Sequence, residues 1–479
     1  MSIPESNNAG KEKVVVRRPL GATTLSCSPL GFGGYRISRS VDVHRDAMRR
    51  FLSLGGNLID TSANYGLGDS ELLCGEVLRE TDRESVVIVT KAGYIQGQNK
   101  ITAAQQGYPD LVKFAPDVWH CIHPAFLRDQ FDLSCARLGV KRIDVFLLHN
   151  PEYFLKDAAN RAADTASARA EFYRRITGAF EFLEEMVAAG KLAWYGVSSN
   201  TFGSADGPEH VSLKTCLECA RQTGANHHFR VVQLPLNLLE TGPATLRAEA
   251  GKTALEFARD EGLAVLTNRP LNAIVEGRLI RLADQEDRPS SPEAAAGALG
   301  RLAQHEASFT SQFDFPLLGG GLGASGWLAP LVEDMPSLEE FRTAVTHAFT
   351  PAANTWLLNA DRTLNSDARY AAWRKEFGAR LDATLMVLQN HTASGLHARA
   401  KAMRGALERA GLPPSPHTLS QLALAVLLNL PGVSCVLNGM RTPAYVDDSF
   451  GALDIELSDA PSLLQKLGSD PIFNSPSGV

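Results

Sequence analysis

The sequence predicts an α/β protein: a (β/α)8 TIM barrel opened by an N-terminal β-hairpin and interrupted by one large helical insertion. Two observations carry that reading. Eight short apolar runs, each long enough for a strand and each ending in polar residues, recur along the 479 residues: "LGFGGYRI", "NLIDTS", "VVIVTKAG", "IDVFLLHN", "LAWYGVSSN", "VVQLPLN", "LAVLTNRP" and "VSCVLNGM". Between them lie segments with apolar residues at three-to-four spacing, such as "VDVHRDAMRRFLSLG" and "HPAFLRDQFDLSCARLG", which close on Gly, the residue that fits a left-handed helix cap. Strands that are apolar nearly throughout, alternating with helices, belong to a parallel sheet buried on both faces, and eight such units suggest closure into a barrel.

Taken in order, residues 1–16 are polar and read as a flexible tail without the apolar core of a signal peptide. "VVVRRPLGATTLSCSPLG" has a Gly turn between two β-rich runs and reads as a hairpin that can plug the barrel floor. The barrel then occupies 17–274 and 413–460, and 461–479 reads as a C-terminal tail. Between the seventh strand and the last barrel helix, "HTLSQLALAVLLN", lie roughly 140 residues, far more than a βα connection needs. Helical candidates such as "SPEAAAGALGRLAQHEASF" and "SLEEFRTAVTHAF" make this a helical insertion, 275–412, on the catalytic rim. Within it Gly321, Gly323 and Gly326 spell GxGxxG. That dinucleotide fingerprint needs a strand before it and a helix after it, whereas Pro330 and Pro336 follow closely, so a flexible glycine turn is the better explanation.

Composition narrows the function. Lys plus Arg number 47 against Asp plus Glu 53, a formal charge of −6 that offers no basic footprint for nucleic acid. The most apolar run, "LALAVLLNLPGVSCVL", is broken by Asn429, Pro431 and Gly432, so no membrane span is expected, and the protein reads as cytoplasmic. Seven scattered cysteines suggest reduced thiols rather than a disulfide framework. Cys216 and Cys219 have CxxC spacing but sit in a helix-like stretch with no second CxxC, so they read as core residues, and no metal site is expected.

The C-terminal ends of barrel strands converge on one mouth, where active sites sit. The residues there are Asp60 after the second strand, Tyr65 in the loop behind it, Lys91 ending the third and His149 ending the fourth. Singly, each has an ordinary structural explanation, a salt bridge or a core histidine; four at successive strand ends point to chemistry. They are the parts needed to protonate a carbonyl oxygen while hydride arrives at its carbon. A phenol has a pKa of about 10, and a cationic Lys91 about 4 Å away would favour the phenolate by up to about 4 kcal/mol, some three pKa units as an upper bound. Asp60 would keep Lys91 charged, and His149 would hydrogen-bond the same carbonyl oxygen.

These residues and their surroundings resemble the aldo-keto reductase superfamily. "IDTSANYGLGDSE" resembles its "IDTAxxYGxSE" signature, and "VIVTKAG", "RLGVKRIDVFLLHNPE", "GKLAWYGVSSN" and "VVQLPLNLLE" resemble its next four strands in order and spacing, from about Arg17 to Leu271 and again from about His417 to Leu453. The resemblance implies a nicotinamide dinucleotide bound without a Rossmann fold, NADP (NADPH) rather than NAD. It implies a catalytic tetrad of Asp60, Tyr65, Lys91 and His149, with Tyr65 the acid in reduction and the base in oxidation, acting on a small-molecule carbonyl or alcohol. Ser198, with Ser199 or Asn200, and Gln233 match positions that hold the nicotinamide carboxamide. Gly439, Arg441, Tyr445 and Asp448 lie in the segment that clamps the adenosine phosphate, and Gly34, Tyr35, Arg36, Asp60, Asn268, Arg269, Pro270 and Leu271 complete the implied cofactor set.

Three departures stand out. Asn268 and Arg269 replace the aromatic residue that the family usually stacks on the nicotinamide, so that stacking comes from elsewhere, with Tyr35 the candidate, or is weaker. Tyr445 and Ser449 replace a common Gln or Arg and a common Asn, so an NADP preference rests on Arg441. The insertion has no counterpart in the simplest members, and is expected across the cofactor and substrate mouth. A second reading is a cofactor-sensing binding module, as in the potassium-channel beta subunits that resemble this family, with the insertion as partner surface.

Overall fold

Each of the eight apolar runs marks a barrel strand in the computed structural model, which describes residues 15–333, 335 and 337–474. The strands are β1 (Leu30–Gly33), β2 (Leu58–Asp60), β3 (Val87–Ala92), β4 (Ile143–His149), β5 (Leu192–Ser198), β6 (Phe229–Pro235), β7 (Ala264–Asn268) and β8 (Cys435–Asn438). They pair in parallel in chain order, and β8 closes on β1. The interior holds Leu58, Val87, Val89, Val145, Leu147, Val231, Leu266 and Leu437, branched residues that fill a barrel and leave no pore.

Two local features set the shape of the mouth. Gly196 in β5 lies where the β5–β6 register shifts, and a Cβ there would stand 1.5 Å from the Val231 carbonyl oxygen, so no larger residue fits. Beyond this close approach, Ser198 pairs with His149 on one side and with Gln233 on the other, which brings three polar residues to one level. At the opposite end, Arg18–Pro19 and Ser26–Cys27 form the hairpin, and its Leu20 and Cys27 join the interior cluster as a floor. Gly21 turns this hairpin with φ 56°, and its amide neighbour Ala22 donates to the Gly262 carbonyl at 2.8 Å.

The described chain divides into two units: 15–273 with 414–474, and 274–413. The second is helical, with helices Pro292–Gln312, Thr350–Leu364 and Ala368–Ala410 the longest. It has its own core, in which Phe309, Trp356, Tyr370, Trp373 and Phe377 pack ring against ring. The GxGxxG stretch lies here with no strand before it. The buried Glu306 carboxylate accepts the Ala324 and Ser325 amides at the start of helix Gly323–Leu328, so the chain's own anion fills the place a phosphate would need.

The C-terminal stretch differs from the expected tail. Residues Ala460–Leu467 form a helix capped by Asp459, because Ala460, Leu463, Leu464 and Leu467 supply an apolar face that is buried. Of the predicted tails, 1–14 and 475–479 lie outside the described residues. Among the described residues no helix is long and apolar enough to cross a membrane.

Candidate active site

The ends of β2, β3 and β4 bring Asp60, Lys91 and His149 together with Tyr65, which opens the short helical turn Tyr65–Gly68. Lys91 is wholly buried. Its Nζ donates to Asp60 Oδ2 at 2.8 Å, to the Thr61 carbonyl at 2.9 Å and to Tyr65 Oη at 3.4 Å, so all three ammonium protons have acceptors. The same Nζ stands 4.9 Å from the centre of the Tyr65 ring. A buried ammonium is tolerated here only because a carboxylate and two further oxygens replace its water.

The electrostatics differ in one respect from the sequence expectation. Burial raises the Tyr65 phenol above its ordinary value; Lys91 pulls it down and Asp60 pushes it up again, and the net direction is upward. The expectation that Lys91 lowers the phenol counted the ammonium and left out burial. Burial lowers Lys91, but Asp60 and Tyr65 outweigh it and hold the ammonium above its ordinary value. Burial likewise lifts Asp60, against the pull of Lys91 and Gln233. The two side chains meet as a salt bridge at 2.8 Å.

Around this group the cofactor candidates fall into three sets. Gln233 donates to Asp60 Oδ1 at 2.8 Å and accepts from Ser198 and Asn268, each at 3.2 Å, so these three form one network with the ion pair. Ser199 hydrogen-bonds Thr201, while the Asn200 amide N–H donates to Glu152 at 2.9 Å and its side chain is exposed. Gly34 donates to the Asp60 carbonyl at 2.7 Å, and Tyr35, 59% exposed, meets the Tyr65 ring edge-on at 5.2 Å with Arg36 beside it. Asn268 Oδ1 and Glu152 Oε2 are buried acceptors with no hydrogen-bond partner among the described residues.

Other candidates lie apart from that network. Arg269 pairs with Glu240 at 2.7 Å in a left-handed backbone conformation, and Pro270 and Leu271 are buried behind it. After β8, a Cβ on Gly439 would meet nothing within 4 Å, Arg441 is half-buried near His44, and Tyr445 is 49% exposed on helix Pro443–Gly451. Asp448 faces elsewhere: its carboxylate accepts from Thr418 and Ser420 at the start of the last barrel helix, Leu419–Leu428.

Several neighbours of the site have no counterpart in the sequence reading. Ser62 Oγ lies 3.0 Å from His149 Nδ1. His120, held near pKa 4 by burial, donates from Nε2 to the His149 carbonyl at 2.7 Å. Tyr94 meets the His149 ring edge-on at 4.8 Å and accepts from Asn150. Glu71, fully buried, accepts from Thr90 beside Lys91 and from Arg137, and so ties β3 to two barrel helices. Ser62, Tyr94 and Glu71 are close in sequence to a tetrad residue and His120 is not, and only the fold shows which way each points.

Comparison with known proteins agrees with this geometry. The model of the Aldo/keto reductase family matches residues 29–311, more than half of the chain, and the protein belongs to that family. Among curated relatives, the NADH-specific methylglyoxal reductase of Escherichia coli (strain K12) is 30% identical over 27% of this chain and 40% of its own. The 6-dehydroglucose reductase of Novosphingobium aromaticivorans is 27% identical over 36% of this chain and 53% of its own. The chain thus spans about half the length of these relatives. An aldo-keto reductase from Bacillus halodurans in its holo form shares the fold, with a TM-score of 0.50 at 16% identity over 94% of this chain and 95% of that one.

Proposed function

We propose that the protein is an NAD(P)H-dependent oxidoreductase that reduces a carbonyl of an aldehyde, ketone or sugar to the alcohol, or runs the reverse, with Tyr65 as general acid and base. One observation carries the reading: Lys91 Nζ lies 2.8 Å from Asp60 and 3.4 Å from Tyr65 Oη, an arrangement that puts a buried cation against a phenol at a barrel mouth. When bound, the reduced dinucleotide supplies the hydride that the carbonyl carbon takes up. Tyr65 passes its hydroxyl proton to the carbonyl oxygen and recovers one from solvent. Lys91 stabilises the phenolate left behind, and Asp60 keeps Lys91 charged. His149 orients the carbonyl oxygen, and Tyr35 offers an exposed ring as a stacking wall.

The residues suit a nicotinamide dinucleotide. The unpartnered acceptor Asn268 Oδ1 and the exposed Asn200 side chain suit the amino and carbonyl groups of a carboxamide, and the open space at Gly439 suits a phosphate near Arg441. An NADP preference rests on Arg441. Arg441→Ala is expected to weaken NADPH binding about tenfold, the effect of one charge-assisted contact, and to leave NADH little changed. Titration of both dinucleotides checks this, and equal losses would show that Arg441 does not read the 2′-phosphate. Seven free thiols are in keeping with a reducing compartment such as the cytoplasm.

The pKa directions set the pH profile. Tyr65 is raised, so it stays protonated to higher pH, and His149 is held well below the imidazole range. Neither titrates between about pH 7 and 9, so kcat/KM for reduction is expected to be flat there while alcohol oxidation, which needs the phenolate, rises with pH. A reduction profile falling through a midpoint inside that window contradicts the assignment. The proposal itself is tested with hydride-deuterated NADPH and NADH against a carbonyl panel. One deuterium on the carbinol carbon of the product supports it; cofactor binding without any labelled alcohol sinks it.

A further inference from the structure

This inference rests on the role just given to His149. Its pKa is held well below the imidazole range by burial, Lys91 and His120, so the ring is neutral and one nitrogen carries the proton. Which nitrogen it is decides whether the ring donates toward the mouth. Nδ1 lies 3.0 Å from Ser62 Oγ, while Nε2 has no hydrogen-bond partner among the described residues. Ser62 Oγ has two further neighbours, Asn64 Oδ1 at 2.7 Å and the Lys91 carbonyl at 3.1 Å.

A hydroxyl has one proton to give. If Ser62 gives it to either oxygen, Nδ1 becomes the donor and Nε2 is left bare. If Ser62 gives it to Nδ1, the ring proton stays on Nε2. The second arrangement satisfies every group. The Lys91 carbonyl already accepts the Ala63 amide at 3.0 Å. A half-turn of the Asn64 amide, matched by one of Gln96 at 3.3 Å, turns Asn64 into a donor to Ser62 and keeps the Asn64–Gln96 bond. We propose that Ser62, oriented by Asn64, is a positioning residue that holds His149 as the Nε2–H tautomer and so presents a donor to the substrate carbonyl oxygen.

The test is nitrogen-15 NMR of the full chain with labelled histidine, with His149→Gln identifying the resonances, alongside steady-state kinetics. In the wild type, Nδ1 is expected to resonate as an acceptor and Nε2 as a protonated nitrogen. Ser62→Ala is expected to shift weight to the Nδ1–H form and to lower kcat about tenfold, a fraction of the 10²–10³ that outright loss of such a donor costs. KM is expected to hold, and Ser62→Thr, which keeps the hydroxyl, to restore both readouts. A wild-type proton on Nδ1 overturns the proposal, as does Ser62→Ala with tautomer and kcat unchanged. If the wild type reduces no carbonyl, the functional reading fails, and the spectrum still decides the tautomer.

Discussion

Replacing Tyr65 by Phe is expected to lower kcat for carbonyl reduction by about 10²–10⁴, the range that general acid catalysis contributes, with dinucleotide affinity within about threefold. The split follows from geometry. The hydroxyl is the only part of Tyr65 that meets Lys91 as a hydrogen-bond partner, at 3.4 Å, whereas the ring makes the edge contacts with Tyr35 at 5.2 Å and His149 at 5.8 Å. Phe keeps those contacts and removes only the hydroxyl, with its proton and the third acceptor of Lys91. Steady-state kinetics with a titration of the dinucleotide checks both halves. Retained turnover would remove Tyr65 from the acid role, and a large loss of affinity would make the hydroxyl a binding element.

Lys91→Met is expected to abolish activity and also to cost about 3–5 kcal/mol of stability at neutral pH, the penalty for leaving a buried charge without its partner. Asp60 is the group left exposed to that penalty. Burial already lifts its pKa, Lys91 is the largest opposing influence, and the Gln233 amide alone would remain. The sign of the pH dependence follows. In the variant the folded pKa of Asp60 lies further above the unfolded value, so the folded state binds that proton more tightly. The deficit against wild type is then fully present above the raised pKa and shrinks as pH falls toward the unfolded value. Asp60→Asn in the Lys91→Met background removes the charge and is expected to recover most of the loss. Denaturant titration at neutral and acid pH measures this; a single variant as stable as wild type at neutral pH contradicts the account.

Much of the barrel was legible because its strands are buried on both faces, which leaves near-continuous apolar runs such as "VFLLH" with the polar residue at the end. The same rule brought Asp60, Lys91 and His149 to one rim, since a parallel barrel gathers the ends of all its strands. What stayed hidden depends on three-dimensional neighbours. The upward net direction of Tyr65 needs its burial as well as its cation. The bonds that Thr418 and Ser420 give the Asp448 carboxylate join residues about 30 apart and cannot be read from either segment alone. Residues 461–474 lack the length that marks a barrel helix, yet Leu463, Leu464 and Leu467 at helical spacing were there to be read. Ser62 sits inside the signature itself, and only the placement of the His149 ring shows what its hydroxyl meets.

The most direct test of the central claim is to measure dinucleotide binding and dinucleotide oxidation together, on the purified protein, over a panel of aldehydes, ketones and sugars. If Lys91 and Tyr65 form a proton-donating pair at a reductase mouth, at least one carbonyl class will drive oxidation of the bound dinucleotide. Tight NADPH or NADH binding with no turnover on any carbonyl would contradict that claim and favour a cofactor-sensing binding module.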